Sequence, residues 1–291
     1  MSDFIIAVFT RGRIDEQLLL SMLPPKILPF ITLCCHPGEL KEHRKRWGTK
    51  LAGIMEYGKN CTNLGQARDW LMDYCKREGI RYAIQIDDNV AFGAHAANYR
   101  VDFSLPLKNV RNNYDADEQA WIISEMLGWM LDSLRSGYGI VGVSHRMGNN
   151  RKERAVDECT RLFAVWGIDV QKYFNVGAKF AENPFKEDFH MQLAFLTHGI
   201  KTACTNCFTF DKVKGANQTG GCSTYRDLKT VNRGSELLKE YYPDFVTLVD
   251  KSSENWSNLG EQKTDGKPLI RKEVIVYWKK AYDYGRDDLP F

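Results

Sequence analysis

Short apolar runs alternate with segments of helical period along most of this chain. The runs FIIAVF (4–9), FITLCC (30–35), YAIQI (82–86), GIVGVS (139–144), RLFAVW (161–166) and IKTACT (200–205) predict buried strands. Between them, Leu64, Ala67, Leu71, Tyr74 and Cys75 recur with a helical period, with Thr62 or Asn63 as N-cap and Gly79 as the stop. A second helix is predicted over about 116–135, where Ile123, Leu127, Met130, Leu131 and Leu134 share one face. Strands alternating with helices predict an α/β fold, a mostly parallel sheet flanked by helices, with short antiparallel additions after residue 139. From about Lys212 the chain is richer in Gly, Asn, Ser, Lys and Asp, and is expected to wrap the core or form mobile loops. Residues 1–226 are taken as the core and 227–291 as a C-terminal extension packing on it.

A chain of 291 residues, 43% hydrophobic, can bury a sizeable core. The formal net charge of +3, from 40 Lys and Arg against 37 acids, leaves the partner open while permitting a local basic face. No apolar run reaches the roughly 18 residues needed to span a bilayer, and MSDFIIAVFTRGR reads as a first strand, not as a signal peptide. No membrane partner is expected. The eight cysteines are scattered, which predicts reduced thiols in a cytoplasmic protein. Cys204 and Cys207 form one C-x-x-C with no second pair at zinc-site spacing.

The chemistry concentrates where strands end. In an open α/β sheet, ligands bind beyond the carboxyl ends of the strands. YAIQIDDN sets Asp87, Asp88 and Asn89 at such an end, an oxygen-rich group suited to Mg2+ or Mn2+ holding a substrate diphosphate. D-D-N also begins ordinary surface turns. Thr10-Arg11-Gly12-Arg13 closes the first strand with a basic, Gly-containing loop that can approach a diphosphate, or forms a solvated turn. Glu187-Asp188 opens a predicted helix whose Phe189, Leu193 and Leu196 make the buried side. Acids are favoured in a first helical turn in any case.

These pieces together resemble a known family. The stretch NLGQARDWLMDYCKREGIRYAIQIDDN (63–89), with Gly65, Ala67-Arg68 and Asp87-Asp88-Asn89, resembles the metal-dependent nucleotide-sugar glycosyltransferases of the A-type (GT-A) fold. More narrowly, VFTRGR, the AR helix with QIDDN, and EDF followed by NQTGGC (217–222) resemble the glycosyltransferases associated with base-modifying dioxygenases. That group includes the base J glucosyltransferases and phage relatives acting on hydroxymethylated pyrimidines in DNA. The resemblance covers roughly residues 4–226.

What the resemblance implies is a Rossmann-like GT-A core and a nucleotide-sugar donor, a UDP-sugar. Asp87 would face the donor ribose, Asp88 would ligate Mn2+ or Mg2+, and Arg68 would help hold the nucleotide, with Thr10, Arg11 and Arg13 around it. Asn89 stands where many members carry a further Asp. Asp188, with Glu187 beside it, would supply the acid near the acceptor, acting as base if the enzyme inverts configuration. The Lys212–Cys222 loop would close over the donor, with Asp211 as an extra metal ligand. The acceptor would be DNA containing a hydroxymethylated base, and the location cytoplasmic, in the host if viral. Ser144-His145-Arg146 and the Arg151–Arg154 run are candidates for phosphate contacts, with Trp166 and Tyr173 as a stacking wall for an extruded base. Two alternatives stay open: a transferase of the same fold acting on a glycan, protein or small molecule, and an inert nucleotide-sugar or nucleic-acid binding module.

Overall fold

The computed structural model describes residues 3–15, 17–213, 227–253 and 269–287. The first half contains β1 (Phe4–Thr10), α1 (Leu18–Met22), β2 (Ile31–Cys35), α2 (Leu40–Trp47), β3 (Gly53–Glu56), α3 (Leu64–Arg77) and β4 (Tyr82–Asp87). It continues through β5 (Val90–Ala97), β6 (Arg100–Val101), β7 (Leu107–Asn109), α4 (Val110–Asn113) and α5 (Ala116–Arg135). Next come β8 (Ile140–His145), α6 (Arg146–Asn149), β9 (Val156–Glu158), β10 (Val165–Asp169), α7 (Val170–Val176), α8 (Glu187–Thr197) and β11 (Thr202–Lys212). The chain then forms α9 (Leu228–Tyr241), β12 (Val246–Ser253), β13 (Leu269–Val276) and α10 (Trp278–Asp287).

The main sheet runs β3-β2-β1-β4-β10-β8-β11-β5-β6, with β7 on β5 and β9 on β11. β3, β2, β1 and β4 are mutually parallel, as are β8 and β11, while β10 runs antiparallel between β4 and β8. The carboxyl ends of β1, β4, β8 and β11 therefore gather on one edge. Apolar layers cover both faces of the sheet. On one, α5 buries Ile123, Met126, Leu127, Met130 and Leu134 against Ile84, Val141 and Val165; on the other, α3 buries Ala67, Leu71 and Cys75 near Ala7 and Ala83. The architecture is the predicted mixed, mostly parallel α/β sheet with flanking helices.

Three strand expectations shift. β5 is an antiparallel addition that precedes residue 139; its VAFGAHAA is rich in Ala and Gly and carries little strand signal. RLFAVW is strand only from Val165, because Ala164 takes a left-handed φ of 63° and its carbonyl accepts a hydrogen bond from Asp87 N (2.8 Å). β11 runs past the predicted 205 to Lys212, with its register against β8 broken between Thr205 and Thr209.

The C-terminal region folds back on the core. Leu238 of α9, Phe245, Val246 and Ala281 of α10 pack with Phe189, Leu193 and Leu196 of α8. Asp227 caps α9 reciprocally with Thr230, a start signal present in the sequence. The seven cysteines among the described residues are free.

Gly65 shows how tightly α3 is seated. A Cβ there would lie 2.8 Å from the Phe180 carbonyl oxygen and 3.2 Å from Ala181 Cα. One turn on, the Asp69 carboxylate accepts hydrogen bonds from Phe180 N (2.8 Å), Ala181 N (3.0 Å) and the Tyr173 hydroxyl (2.7 Å). Backbone cannot yield as a side-chain tip can, so Gly65→Ala is expected to destabilise the protein by about 1–3 kcal/mol through overpacking. Thermal denaturation checks this; an unchanged Tm would mean that α3 shifts freely on the 180–181 segment.

Candidate active site

Asp87 and Asp88 close β4 beside the end of β1. Asp88 is buried, 6% exposed, yet carries a carboxylate. The Thr10 hydroxyl donates to its Oδ2 (2.9 Å) and Arg13 forms an ion pair with its Oδ1. Gln17 fixes this loop, donating from Nε2 to Thr10 Oγ1 (2.6 Å) and to the Arg13 carbonyl (2.7 Å). Burial pushes the Asp88 carboxyl above the usual carboxylate range, against the pull of Arg13 and Thr10. Asp87 goes the other way. Burial raises it too, but the Lys212 ammonium and the Arg68 guanidinium outweigh that and hold it below the usual range. The adjacent acids thus diverge because cations outweigh burial at Asp87 and burial outweighs its cation at Asp88.

Lys212 reaches Asp87 from the end of β11 and lies 3.3 Å from Asn89 Oδ1. Asp211, the preceding residue on the strand, points to the opposite side and pairs with Arg146 (3.2 Å). The structure therefore does not bring Asp211 to the Asp87–Asp88 pair. Arg11 donates to the Thr62 carbonyl (2.9 Å), which ties the loop after β1 to the start of α3. From residue 214 on, the expected closing loop, including NQTGGC, lies outside the described residues.

Arg68 is the hub beneath the acids. The resemblance put it on the nucleotide, but it is 3% exposed and its guanidinium is directed to protein groups. It donates to Gln85 Oε1 (2.9 Å), lies 3.4 Å from Asp87 and 4.0 Å from Glu187, and sits over the Trp166 ring at 4.9 Å. Trp166 and Tyr173, proposed from sequence as a stacking wall, are 1% and 3% exposed and so are not available to a base. They instead form the floor under Arg68 and Phe180.

The first turn of α8 divides its two acids. Glu187 is buried toward Arg68, whereas the Asp188 carboxylate lies 3.7 Å from the half-exposed Arg161. Arg161 is held between the rings of Phe163 (4.5 Å) and Phe189 (4.4 Å). Gln192, fully buried, sets this pairing: it accepts from Leu162 N (2.8 Å) and donates to Leu162 O (2.7 Å), clamping the strand approach onto α8. His145, at the end of β8, meets Phe163 and Phe210, and burial lowers its pKa while Asp211 opposes the shift. Sequence reasoning missed Gln17, Gln85, Arg161 and Gln192. Their contacts are tertiary, and no local spacing announces them.

Strand-end acids rimmed by cations thus stand at the edge of a mixed α/β sheet of the GT-A type. The chain belongs to the TET-Associated Glycosyltransferase family, whose family model matches residues 4–221. Among solved structures, Staphylococcus aureus TarS (residues 1–349, with UDP-GlcNAc) aligns at TM-score 0.50 and 11% identity, covering 84% of this chain and 67% of that one. The Mycobacterium tuberculosis glucosyl-3-phosphoglycerate synthase, solved with Mn2+, UDP and glucosyl-3-phosphoglycerate, aligns at 0.48 and 9% identity, covering 85% and 84%. GalNAc-T7 with UDP, GalNAc and Mn2+ aligns at 0.46 and 11% identity, covering 82% of this chain and 49% of that one; the chain spans about half its length. No curated protein matches the chain in sequence. No helix among the described residues is long and apolar enough to cross a membrane.

Proposed function

We propose that this glycosyltransferase transfers a sugar from a UDP-sugar to the hydroxymethyl group of a modified pyrimidine in DNA, using Mn2+ or Mg2+. The observation that supports it best is the pair Asp87–Asp88, held at the sheet edge with Arg13 and Lys212 on its rim. The donor set suits a hard divalent ion, which takes one or two carboxylates and completes its shell with phosphate and water. Among the described residues no three His, Cys, Asp or Glu converge as a closed protein site, so a substrate diphosphate would supply the remaining oxygens. When bound, the ion contributes Lewis acidity toward the departing phosphate.

The protein's own groups divide the remaining work. Asp88 would ligate the ion, and Asp87, oriented by Arg68, would serve the ion and the donor ribose. Arg13 and Lys212 neutralise negative charge as the sugar–phosphate bond breaks. Thr10 and Gln17 hold the loop after β1 in place, and Glu187 acts on Asp87 indirectly through Arg68. Asp188 accepts the proton of the attacking hydroxyl in an inverting transfer, and Arg161 fixes its carboxylate. Residues 1–226 would form the catalytic core, with 227–291 an extension bracing α8. The proposed location is cytoplasmic, in the host if the protein is viral.

Incubating the protein with Mn2+, a panel of nucleotide sugars and DNA carrying hydroxymethyluracil or hydroxymethylcytosine tests this reading. Mass spectrometry of the digested nucleosides should show one added sugar on the modified base, and EDTA should abolish it. Sugar found on a free saccharide or a protein, with every DNA form unmodified, would replace the DNA acceptor with one of those.

A further inference from the structure

We propose that Met147 is a wedge that enters duplex DNA and fills the space left when the modified base swings out toward Asp188. The inference rests on the DNA reading above and adds to it a residue that opens the duplex.

Met147 is the most exposed large hydrophobic side chain among the described residues, at 79%. An isolated exposed apolar residue is ordinary on a protein surface; Met147 is distinguished by its placement. It stands on α6, the single helical turn that follows His145 directly, at the carboxyl end of β8 where the site edge lies. A Cβ built on the neighbouring Gly148 would likewise meet nothing within 4 Å, so this turn is open to solvent at both positions.

The base of this tip is rigid. Asn149 is 3% exposed; its Nδ2 donates to Ser144 Oγ (2.9 Å) and to the Asn206 carbonyl (2.8 Å), and its Oδ1 faces His95 Nε2 at 2.9 Å. Arg146 is tied to Asp211 (3.2 Å), next in sequence to Lys212 of the site rim. A projecting side chain on such a footing can press into a partner without folding back.

The charge around it selects the partner. Arg146, Arg151, Lys152 and Arg154 lie within eight residues of Met147 in sequence; Arg146 pairs with Asp211 and Lys152 with Asp157, while Arg151 and Arg154 are exposed, with Glu153 the one acid among them. Cations flanking one apolar tip suit a polyanion with an apolar interior, which is a stacked duplex. Proteins that kink or open duplexes insert Met, Leu or Phe between base steps in this way, offsetting an unstacking cost of a few kcal/mol. Asp188 is largely buried beside Arg161, and the hydroxyl of a hydroxymethyl base reaches such a carboxylate once the base has left the stack.

The test compares three acceptors with the full-length protein: the modified base in a perfect duplex, the same base opposite a mismatch, and the same base in a single strand. A 2-aminopurine placed beside the target reports unstacking directly. Met147→Ala should slow the duplex reaction by about tenfold or more, given an unstacking cost of a few kcal/mol, and should abolish the 2-aminopurine signal. The mismatch should recover part of the rate, and the single strand should stay within about twofold of the parent. Met147→Phe should restore the duplex reaction, whereas Met147→Asp should not. A duplex rate unchanged in Met147→Ala overturns the wedge, and so does an equal loss on all three acceptors, which would indicate general acceptor binding or contact between copies of the protein. If the parent glycosylates none of the three, the DNA reading itself fails and the wedge falls with it.

Discussion

Asp88→Asn is expected to lower turnover by about 10³-fold or more, because Lewis-acid stabilisation is worth several kcal/mol and each ~1.4 kcal/mol is a factor of ten. The fold should survive. The asparagine keeps the shape and still accepts the Thr10 hydroxyl hydrogen bond, and Arg13 is close enough to the surface to be hydrated. Burial raises the Asp88 carboxyl, so the native state binds its proton more tightly than the unfolded chain does. The stability linked to that proton is present at low pH and is lost as pH rises through the raised value. At neutral pH the ionised group therefore costs stability, and the neutral amide removes that cost. Tm of Asp88→Asn at pH 7 should equal or exceed that of the parent while activity collapses, a trade typical of a group kept for function. Near-normal turnover in the variant, with the parent indifferent to EDTA, would sink the metal reading.

Much of this site can be read in the chain because its central pieces are local. Buried parallel strands give unbroken apolar runs, so β1 and β4 and the groups at their ends, Thr10 to Arg13 and Asp87–Asp88, are visible in sequence. The same holds for α3 and α5, whose periodicity and caps are strong: Asn63 accepts from Gln66 N, and Asp115 accepts from Asp117 N and Glu118 N. What connects these pieces is not local. Lys212 meets Asp87 across 125 residues, and Gln192 clamps Leu162 across 30. Arg68 illustrates the limit most clearly. Its place in the AR motif points to the site, but whether an arginine beneath two acids touches a ligand or its neighbours is decided by burial, and burial comes from the Trp166 and Phe180 rings packed around it. The C-terminal region reads only as wrapping or loops because it is rich in Gly, Asn, Ser, Lys and Asp, and the apolar positions of its helices, Leu238 and Ala281, find their partners on α8.

The separation of Glu187 from Asp188 leads to the second large effect. Asp188→Asn should reduce kcat by about 10²- to 10⁴-fold, the range for loss of a general base, with donor affinity little changed. The amide is nearly the same size and remains beside Arg161, so neither α8 nor the Phe163–Arg161–Phe189 stack has reason to move. It cannot take up the proton of the attacking hydroxyl. Glu187→Gln provides the contrast, because Glu187 faces Arg68, and Arg68 orients Asp87. Its effect should fall on donor binding, raising the Kd for the UDP-sugar, with a smaller change in kcat. Calorimetric titration with the donor and single-turnover kinetics on a modified acceptor separate the two. If Asp188→Asn weakened donor binding and left kcat intact, Asp188 would belong to the donor side of the cleft, and the proton would have to leave by another group.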